Sequence, residues 1–592
     1  MTDEAYPLGI LRAVDRGRRE RPADTAVQAS DTTLDFVGLA ERSEQLAALL
    51  AAHGVREHSP VGLLLGRTAD SVAALLAVWR LGATAVPLDP GHPVERLAYA
   101  LRDAGVRTLL APQVPQELDM DGIELVRPVQ AVPIAAPVAP VIPHPEACSY
   151  IIYTSGTTGR PKGVEVTYRG LDTFTDALGT LGLAPGGLGL NAVSPAFDGW
   201  LWCTLLYLLH GQGVALADLS LEGLRSADGD ASPLPPGLRT VSLTPSLLAA
   251  HGDGLDAAEV VVVAGEACPP ALAERFAAGR RFLNVYGPTE ATIAATWADS
   301  AQQDDVRTIG RPLPGYRAYV LDARLRLVAR GEEGELFLGG PALARGYRNQ
   351  PGLTSARFVP DPFAGGGARM YRTGDLVALR ADGTLEYRGR RDDQVKIRGH
   401  RVELGEVDRV AAAVPGVEAA AAYVTGSGDT LGLAVVAAPG AGEVSTAVLA
   451  RCADLLPTAA VPHTVRTVPV LPTLATGKAD RAALARDLAD AAQVVDAPAA
   501  DLTDRERQVL QLWNELLDRE ITDPDADFFA LGGHSLLAAR AVAELRRRTG
   551  GRVTLAQLLA HPTAAGLAAE LDRTLSADAG APAAGPVTGG VR

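Results

Sequence analysis

Strand-like apolar segments alternate with helix-like segments from Leu39 onwards. The segment LAERSEQLAALLAAHG has apolar residues at helical spacing and stops at Gly54, and the apolar run PVGLLLG that follows indicates a strand. The pair is repeated by ADSVAALLAVWRLG, which stops at Gly82, and by ATAVPLD. Because two parallel strands need a crossover segment between them, this alternation predicts an α/β fold built on parallel sheets.

The pattern changes three times further along the chain. Short strands such as GELFLGG predict a β-rich subdomain over 334–390, and a mixture of strands and helices over about 393–490 predicts a small α/β lobe. Three helical segments then predict a small all-α bundle of about the size of a carrier domain, for which a four-helix fold is expected. The domains expected are a large core over 1–391, a small mobile lobe over 392–490, a linker over 491–502, the bundle over 503–575 and a disordered tail over 576–592.

Composition excludes several classes of protein. The 592 residues carry a net charge of -15, which disfavours a nucleic-acid partner. No apolar run is long enough to cross a membrane, and the first residues lack the pattern of a signal peptide. The 4 cysteines form no CxxC pair, so neither a disulfide framework nor a zinc site is expected. These features predict a cytoplasmic protein.

The most specific local pattern is a Gly- and Thr-rich loop that follows the apolar run SYIIY. It is the string YTSGTTGRPKG over 153–163, whose glycines allow tight turns and direct backbone amides at an anion. The string lacks the Gly-Lys-Ser/Thr ending of a Walker A loop. It predicts a different kind of phosphate-binding loop, in preference to a solvated turn.

Further motifs accompany the loop in a fixed order. They are LG with PLD (81–82, 87–89), NVYGPTE (284–290), YRTGD (371–375), GR with QVKIRG (389–390, 394–399) and TGKADR (476–481). With these strings the chain resembles, over about residues 20–490, the adenylate-forming superfamily of amino-acid adenylation domains, acyl-CoA synthetases and luciferases. It is most similar to the adenylation domains of nonribosomal peptide synthetases. The resemblance implies a ligase that uses ATP and Mg²⁺ to activate a carboxylate as an adenylate.

The resemblance also implies the nucleotide site. ATP and the carboxylate are both anionic, so the site must supply positive charge and hold them in line. Glu290 would coordinate Mg²⁺, Tyr286 would lie against the adenine, and Asp375 would accept hydrogen bonds from the ribose hydroxyls. The nucleotide-binding residues expected are Thr154, Ser155, Gly156, Thr157, Thr158, Gly159, Lys162, Tyr286, Asp375, Tyr387 and Arg390.

Two residues are expected to act through movement of the small lobe. Lys478, in a turn-like TGK, would approach the substrate carboxylate and offset charge repulsion during adenylation. Asp392 would be the hinge about which the lobe rotates, one orientation bringing Lys478 in and the other admitting a thiol.

The resemblance further implies the amino-acid pocket. Asp198 would pair with a substrate α-ammonium, which favours an amino acid over a simple acid. The remaining wall is apolar apart from Ser242, so a charged side chain would be poorly paired. Large aromatic amino acids are expected, with tryptophan favoured over phenylalanine and tyrosine. The wall expected is Asp198, Gly199, Trp202, Ser242, Val262, Ala264, Val285, Ile293 and Ala294, together with Lys478.

The helical bundle carries a second motif, DFFALGGHSL over 527–536. It resembles the attachment site of peptidyl carrier proteins, in which Ser535 would receive 4′-phosphopantetheine from a phosphopantetheinyl transferase. The chain would then be a stand-alone loading didomain in nonribosomal peptide, antibiotic or related natural-product biosynthesis. Downstream tailoring or condensation enzymes are expected partners, and an MbtH-like protein is a candidate. The alternatives are an acyl-CoA or aryl-acid ligase and a non-catalytic carrier scaffold.

Overall fold

A computed structural model gives the structure of the chain. It describes residues 8–128, 138–156, 160–219, 234–252, 255, 257–397, 399–425, 430–442, 444–474, 478–490, 502–517, 521–528, 531, 533, 535–549, 553, 557–558 and 561–579. These residues form two compact units, one that ends at Arg481 and one formed chiefly by the chain from Ala482 onwards. The division at Arg481 falls inside the expected lobe of 392–490, whose bounds stay predictions.

The strands are numbered here in chain order. They are β1 Thr25–Gln28, β2 Thr33–Asp35, β3 Pro60–Leu63, β4 Thr84–Pro87, β5 Thr108–Leu110, β6 Glu124–Val126, β7 Cys148–Thr154, β8 Lys162–Thr167, β9 Leu188–Asn191, β10 Gly213–Leu216, β11 Leu238–Leu243, β12 Val260–Ala264, β13 Arg281–Tyr286, β14 Thr296–Asp299, β15 Arg311–Pro312, β16 Arg317–Leu321, β17 Glu333–Gly339, β18 Gly346–Tyr347, β19 Phe358–Pro360, β20 Arg369–Leu379, β21 Leu385–Arg390, β22 Gln394–Ile397, β23 His400–Glu403, β24 Val417–Val424, β25 Leu431–Ala437 and β26 Thr464–Thr467.

The helices are numbered in the same way. They are α1 Gly9–Glu20, α2 Phe36–Ala52, α3 Ala69–Arg80, α4 Val94–Ala104, α5 Tyr168–Gly179, α6 Asp198–Leu209, α7 Pro245–His251, α8 Pro270–Ala277, α9 Pro351–Arg357, α10 Leu404–Ala412, α11 Ser445–Leu455, α12 Arg481–Asp490, α13 Asp504–Leu517, α14 Ser535–Thr549 and α15 Ala564–Ala579. None of the described helices is both long enough and apolar enough to cross a lipid bilayer.

Two sheets form the frame of the first unit. The larger has the order β15-β14-β13-β12-β11-β9-β10-β1-β2, and the second has the order β18-β8-β7-β4-β3-β5-β6. The strands from β13 to β1 are parallel, as are those from β7 to β6, and antiparallel strands lie at the edges. The predicted α/β fold with parallel sheets is therefore confirmed.

Helix α3 lies between the two sheets, and this position explains why its sequence is almost entirely apolar. Every residue of α3 except Asp70 is buried, and the helix contacts β1 of the larger sheet as well as β3 and β4 of the second. A helix that is buried on nearly all sides is largely apolar, and Ser71 and Arg80 are the polar exceptions among its buried residues other than Trp79. Its one buried indole N–H, that of Trp79, donates to the Ser149 carbonyl at 3.0 Å. Gly82, with φ 64, ends the turn that follows, as the sequence predicts.

The β-rich subdomain and the small lobe follow the larger frame. The subdomain has strand order β16-β17-β20-β19, with β21 beside β20, and all of these pairs are antiparallel. The lobe has a hairpin of β22 and β23, a sheet of β24, β25 and β26, and its own apolar cluster around α10 and α11. Both parts match the fold class expected from the sequence.

The second unit contains the carrier-like helices. Helices α13, α14 and α15 share an apolar cluster in which Trp513 and Phe528 are fully buried, with ring centres 5.0 Å apart. Ser535 is the first residue of α14, as predicted, and its side chain lies outside the described residues. Helix α15 continues to Ala579, past the predicted start of the tail at 576, because alanine, present at 577 and 579, favours helix. The rest of the predicted tail, and the predicted linker before Leu502, lie outside the described residues.

We predict that Trp513→Ala lowers the stability of the helical bundle by about 3–5 kcal/mol, because it empties the centre of the cluster. Urea unfolding of the full chain, monitored by hydrogen exchange in α13 and α15, measures the change. Arg507→Ala is the matched control on the same helix, where an exposed side chain should cost less than about 0.5 kcal/mol. Equal losses in the two variants would contradict the packing described here.

Candidate functional site

The residues predicted for the amino-acid pocket, apart from Lys478, lie around the ends of parallel strands of the larger sheet. Strand β12 ends at Ala264 and β13 ends at Tyr286. Helix α6 begins at Asp198, whose carboxylate is hydrogen-bonded to Thr289 just beyond β13. Ligands bind outside the carboxyl ends of the strands in open α/β sheets. The position of Asp198 is therefore typical of a ligand-binding site.

Strand register puts four of the predicted pocket residues on one face. Ser242 on β11 pairs with Val262 on β12, and Ala264 on β12 pairs with Val285 on β13. Paired residues point to the same side of a sheet, as do residues two apart on one strand. Ser242, Val262, Ala264 and Val285 therefore share a face across three adjacent strands, although their sequence positions are far apart.

The residues of the predicted pocket wall differ in exposure. Val262, Val285, Ile293 and Ala294 are buried, whereas Gly199, Asp198 and Ala264 are half-buried. Ile293 has φ 71, which is unusual for a β-branched residue and is typical of backbone held at a functional site.

Trp202 and Ser242 are joined within this wall. The Trp202 indole N–H donates to the Ser242 hydroxyl at 3.1 Å, and the Trp202 ring packs against Phe174 with centres 6.0 Å apart. The hydroxyl that the sequence offers to a substrate therefore already serves as an acceptor for Trp202. The same hydroxyl is hydrogen-bonded to the Cys203 thiol, so one lone pair is what remains of its hydrogen-bonding capacity for a substrate.

Asp198 is the one carboxylate of this predicted wall. Burial is the largest influence on the group and raises its pKa to about 6, while the hydrogen bond with Thr289 acts in the opposite direction. A carboxylate in such surroundings lacks a full counter-charge and favours a cationic ligand. An α-ammonium group has the required charge.

Asp375, which is predicted to hold the ribose, lies with three other residues of the predicted nucleotide site. The Tyr286 hydroxyl donates to one oxygen of Asp375 at 2.5 Å, and Arg390 donates to the other at 2.7 Å. Tyr387 lies beside Tyr286, with ring centres 6.5 Å apart. Arg390 also pairs with Asp392 at 2.7 and 3.0 Å, which ties the predicted hinge to the ribose side of the site. Burial opposes ionisation of Asp392, but the hydrogen bonds from Arg390 prevail and its pKa is lowered.

Glu290 is completely buried and is compensated by two cations. Arg401 donates to its two oxygens at 2.9 and 3.2 Å, the Tyr347 hydroxyl donates at 2.7 Å, and the Lys162 ammonium lies 3.5 Å away. Burial would raise the pKa of Glu290, but Arg401 and Lys162 hold it well below its usual range. Burial, with Arg401 nearby, lowers the pKa of Lys162 to about 8.

The surroundings of Glu290 suit a metal ion that is coordinated partly by the phosphates of a bound nucleotide. No group of three or more His, Cys, Asp or Glu able to hold a metal occurs among the described residues. Glu290 stays ionised, and the buried Thr154 hydroxyl has no hydrogen-bond partner in the described part of the chain. Mg²⁺ is usually held by one or two carboxylates together with substrate phosphates. Glu290 would hold the ion, which would draw charge from the triphosphate.

The predicted phosphate loop joins β7 to β8. Thr154 and Lys162 face each other across that antiparallel pair, so the loop is closed at its base. A Cβ at Gly156 would lie 2.0 Å from the Arg160 carbonyl oxygen, which explains why glycine is needed there. The Ser155 hydroxyl donates to the Arg401 carbonyl at 2.7 Å. Thr157, Thr158 and Gly159 lie outside the described residues.

The lobe presents its β22–β23 hairpin to the site, and Lys478 lies elsewhere. The His400 ring on this hairpin contacts Phe197 with centres 4.6 Å apart, next to Asp198. Lys478 is exposed, and no hydrogen bond or ion pair joins it to the pocket among the described residues. The structure therefore does not bring Lys478 together with the other predicted residues, and its role stays a prediction.

Three residues of the site were not assigned a role from the sequence. Arg401 contacts Glu290, Tyr347 donates to the same carboxylate, and the Lys396 ammonium lies 5.7 Å from the centre of the Tyr286 ring. Burial lowers the pKa of Lys396. The charge pattern of the hairpin, KIRGHR, was the available signal for Lys396 and Arg401. No signal in the sequence marked Tyr347.

Two family profiles match the sequence. The profile of the AMP-binding enzyme covers residues 14–348. The profile of the phosphopantetheine attachment site covers residues 507–571, which include Ser535.

Similar curated proteins come from streptomycetes, among other bacteria. Novobiocin biosynthesis protein H of Streptomyces niveus is 38% identical over 578 residues, which cover 94% of this chain and 94% of that protein. Phosphinothricin tripeptide synthetase PhsC of Streptomyces viridochromogenes is 39% identical over 596 residues, which cover 97% of this chain and 54% of that protein. The chain thus spans about half the length of PhsC.

A solved structure resembles both units of the chain. Holo-PA1221, described as an NRPS protein containing adenylation and PCP domains bound to a vinylsulfonamide inhibitor, matches with a TM-score of 0.77 and 28% identity. The match covers 97% of this chain and 98% of that one.

We predict that the affinity for the activated amino acid falls as the pH falls through about 6, because Asp198 then takes up a proton and loses its charge. The KM for the amino acid in ATP–pyrophosphate exchange, measured between pH 5.5 and 8, gives the profile. Asp198→Asn is the matched control and should have a high KM without this pH dependence. The same slope in both proteins would contradict the role of Asp198.

Proposed function

Since the chain belongs to the AMP-binding enzyme family and carries a phosphopantetheine attachment site, as adenylation–carrier proteins of nonribosomal peptide synthesis do, we propose that it activates an α-amino acid with ATP and loads it onto its own carrier domain. Members of the family use ATP with Mg²⁺. The first products are the aminoacyl adenylate and pyrophosphate. The amino acid is then transferred to the carrier and AMP is released.

The observation that carries this proposal is the position of Asp198. Its carboxylate is half-buried in a predicted wall that is otherwise apolar apart from Ser242, at the carboxyl ends of the parallel strands. An apolar wall with one anion suits a ligand that has one cationic group and an uncharged side chain. An aryl or fatty acid has no such cation, which argues against the alternative ligases.

Different residues bind the phosphates, the ribose and the amino acid during formation of the adenylate. Lys162 offsets the charge of the phosphates, and Asp375, held by Tyr286 and Arg390, fixes the ribose. Asp198 orients the amino acid by its ammonium group. Lys478 enters only after the lobe turns about Asp392, since it is exposed in the orientation described. This turn separates the two steps in time.

The second step needs the carrier. The 4′-phosphopantetheine group on Ser535 supplies the thiol that accepts the amino acid. A phosphopantetheinyl transferase must attach it. The chain would act as a stand-alone loading didomain whose product passes to separate tailoring or condensation enzymes, and an MbtH-like protein is a candidate partner.

The pocket favours a large aromatic side chain. Gly199, Ala264 and Ala294 leave space along the wall, and Trp202 offers an aromatic face that Ser242 holds in place. Tryptophan is proposed first, followed by phenylalanine and tyrosine.

We predict a single maximum at tryptophan when ATP–pyrophosphate exchange is measured across the proteinogenic amino acids, with and without an MbtH-like protein. A maximum at another aromatic amino acid would support the proposed reaction and would replace tryptophan as the proposed substrate. Exchange with only aryl or fatty acids would overturn the role of Asp198. An absence of exchange with every acid in both conditions would favour the carrier-scaffold alternative.

We predict that Ser535→Ala leaves ATP–pyrophosphate exchange within about twofold of the parent protein but abolishes covalent loading, because Ser535 lies in a unit separate from the adenylation site. Intact-protein mass spectrometry after treatment with a phosphopantetheinyl transferase, ATP and the amino acid follows both the arm and the load. Thr549→Ala, at the other end of α14, is the matched control and should load normally. Loading of the Ser535→Ala protein would contradict this assignment.

A further inference from the structure

The small lobe contacts the groups that are expected to bind the metal and the triphosphate. The Ser155 hydroxyl donates to the Arg401 carbonyl at 2.7 Å, and the Gly156 backbone N–H donates to the Glu406 carboxylate. Arg409 lies 3.4 Å from the Gly156 carbonyl oxygen. The backbone N–H and the backbone carbonyl of Gly156 are thus both contacted by side chains of α10.

The Glu290 carboxylate is engaged by the same lobe. Its Oε1 atom accepts from Tyr347 at 2.7 Å and from Arg401 at 3.2 Å, and its Oε2 atom accepts from Arg401 at 2.9 Å. Arg401 is the partner recorded for Oε2 among the described residues. A metal ion that approaches Oε2 must therefore displace the guanidinium of Arg401.

Two buried polar groups without hydrogen-bond partners indicate that the site also adopts an arrangement other than the one in this structure. Among the described residues, the Thr154 hydroxyl and the Nε atom of Arg401 are buried without a partner. Buried polar groups are nearly always paired, so each exception requires an explanation. An oxygen-rich ligand would satisfy the Thr154 hydroxyl, and withdrawal of the hairpin would return Arg401 to water.

The charges of the lobe match those of a metal–triphosphate in sign. Arg401 places a cation on the carboxylate where the metal is expected, and Glu406 places an anionic oxygen on the Gly156 amide where a phosphate is expected. Arg96 on α4 lies 3.7 Å from Glu406 and balances its charge. The lobe therefore meets the electrostatic requirements of the site without a nucleotide.

On the basis of the function proposed above, we propose that Arg401 and Glu406 are internal substitutes for Mg²⁺ and for a phosphate oxygen, so that the lobe in this orientation and Mg²⁺–ATP compete for Glu290 and Gly156. With Mg²⁺–ATP bound, Arg401 and Glu406 would give up Glu290 and Gly156, and the hairpin would leave the site. Arg401 and Glu406 would pair with Glu290 and Gly156 again once the metal and pyrophosphate had gone. The two events are linked because two ligands of one site shift each other's binding equally. Arg401 is here a positioning residue for the second step.

The test compares binding of α,β-methylene-ATP, which cannot form an adenylate, to the full chain and to Arg401→Met. Isothermal titration with Mg²⁺ should show affinity about tenfold higher in the variant, within the usual range of coupling between sites. With EDTA in place of Mg²⁺ the gain should be much smaller, since the competition at Glu290 is with the metal. Arg307→Met is the matched control, because it removes an arginine from Asp305 on the surface and leaves Arg380 there; its affinity should be unchanged.

A second measurement needs no variant. Hydrogen exchange in residues 399–409 of the parent chain should rise when Mg²⁺ and α,β-methylene-ATP are added, because the contacts of Arg401 and Glu406 are released. Equal or weaker binding by Arg401→Met, or unchanged exchange in the parent chain when the nucleotide is bound, would overturn the competition while leaving the proposed function intact. No binding of the nucleotide to either protein would count against the proposed function and the inference together.

Discussion

The buried carboxylate of Glu290 is the charge on which the arrangement of the site depends. A carboxylate with no exposure is tolerated only where cations and hydrogen-bond donors surround it. Lys162 supplies one cation from the end of the predicted phosphate loop, and Arg401 supplies another from the lobe. The loop, the strand end after β13 and the lobe hairpin are therefore held together by the electrostatic requirement of one side chain.

The apolar core formed by the two sheets and α3 fixes the positions of the residues around this charged group. Helix α3 is buried between the two sheets, and the parallel strands end at one edge, so Ser242, Val262, Ala264 and Val285 occupy fixed positions on one face. Because the strands are hydrogen-bonded on both sides, these positions move little. The lobe has its own apolar cluster and is bound to the site by polar contacts. Polar contacts can be exchanged for those of a ligand, whereas a shared core could not.

The residues predicted for the core part of the site lie together in the structure, and the residue predicted for the lobe part does not lie with them. Tyr286 and Arg390 are hydrogen-bonded to Asp375, and each of the three belongs to a short motif whose backbone geometry is local. Lys478 lies away from the pocket, while Arg401 lies in it. Motif order along the chain carries no information about the orientation of a lobe that turns about a hinge.

The sequence by itself determined the alternation of strands and helices, the Gly- and Thr-rich loop after β7, the motif set and the helix that begins at Ser535, because periodicity, glycine positions and short-range motifs are local properties of the chain. Only the tertiary structure decided that Trp202 uses the Ser242 hydroxyl, that Glu290 is balanced by Arg401 and Tyr347, and that Gly156 is engaged by Glu406. These contacts join residues far apart in the sequence. Their partners are selected by burial, since a polar group removed from water must pair with whatever the fold places beside it.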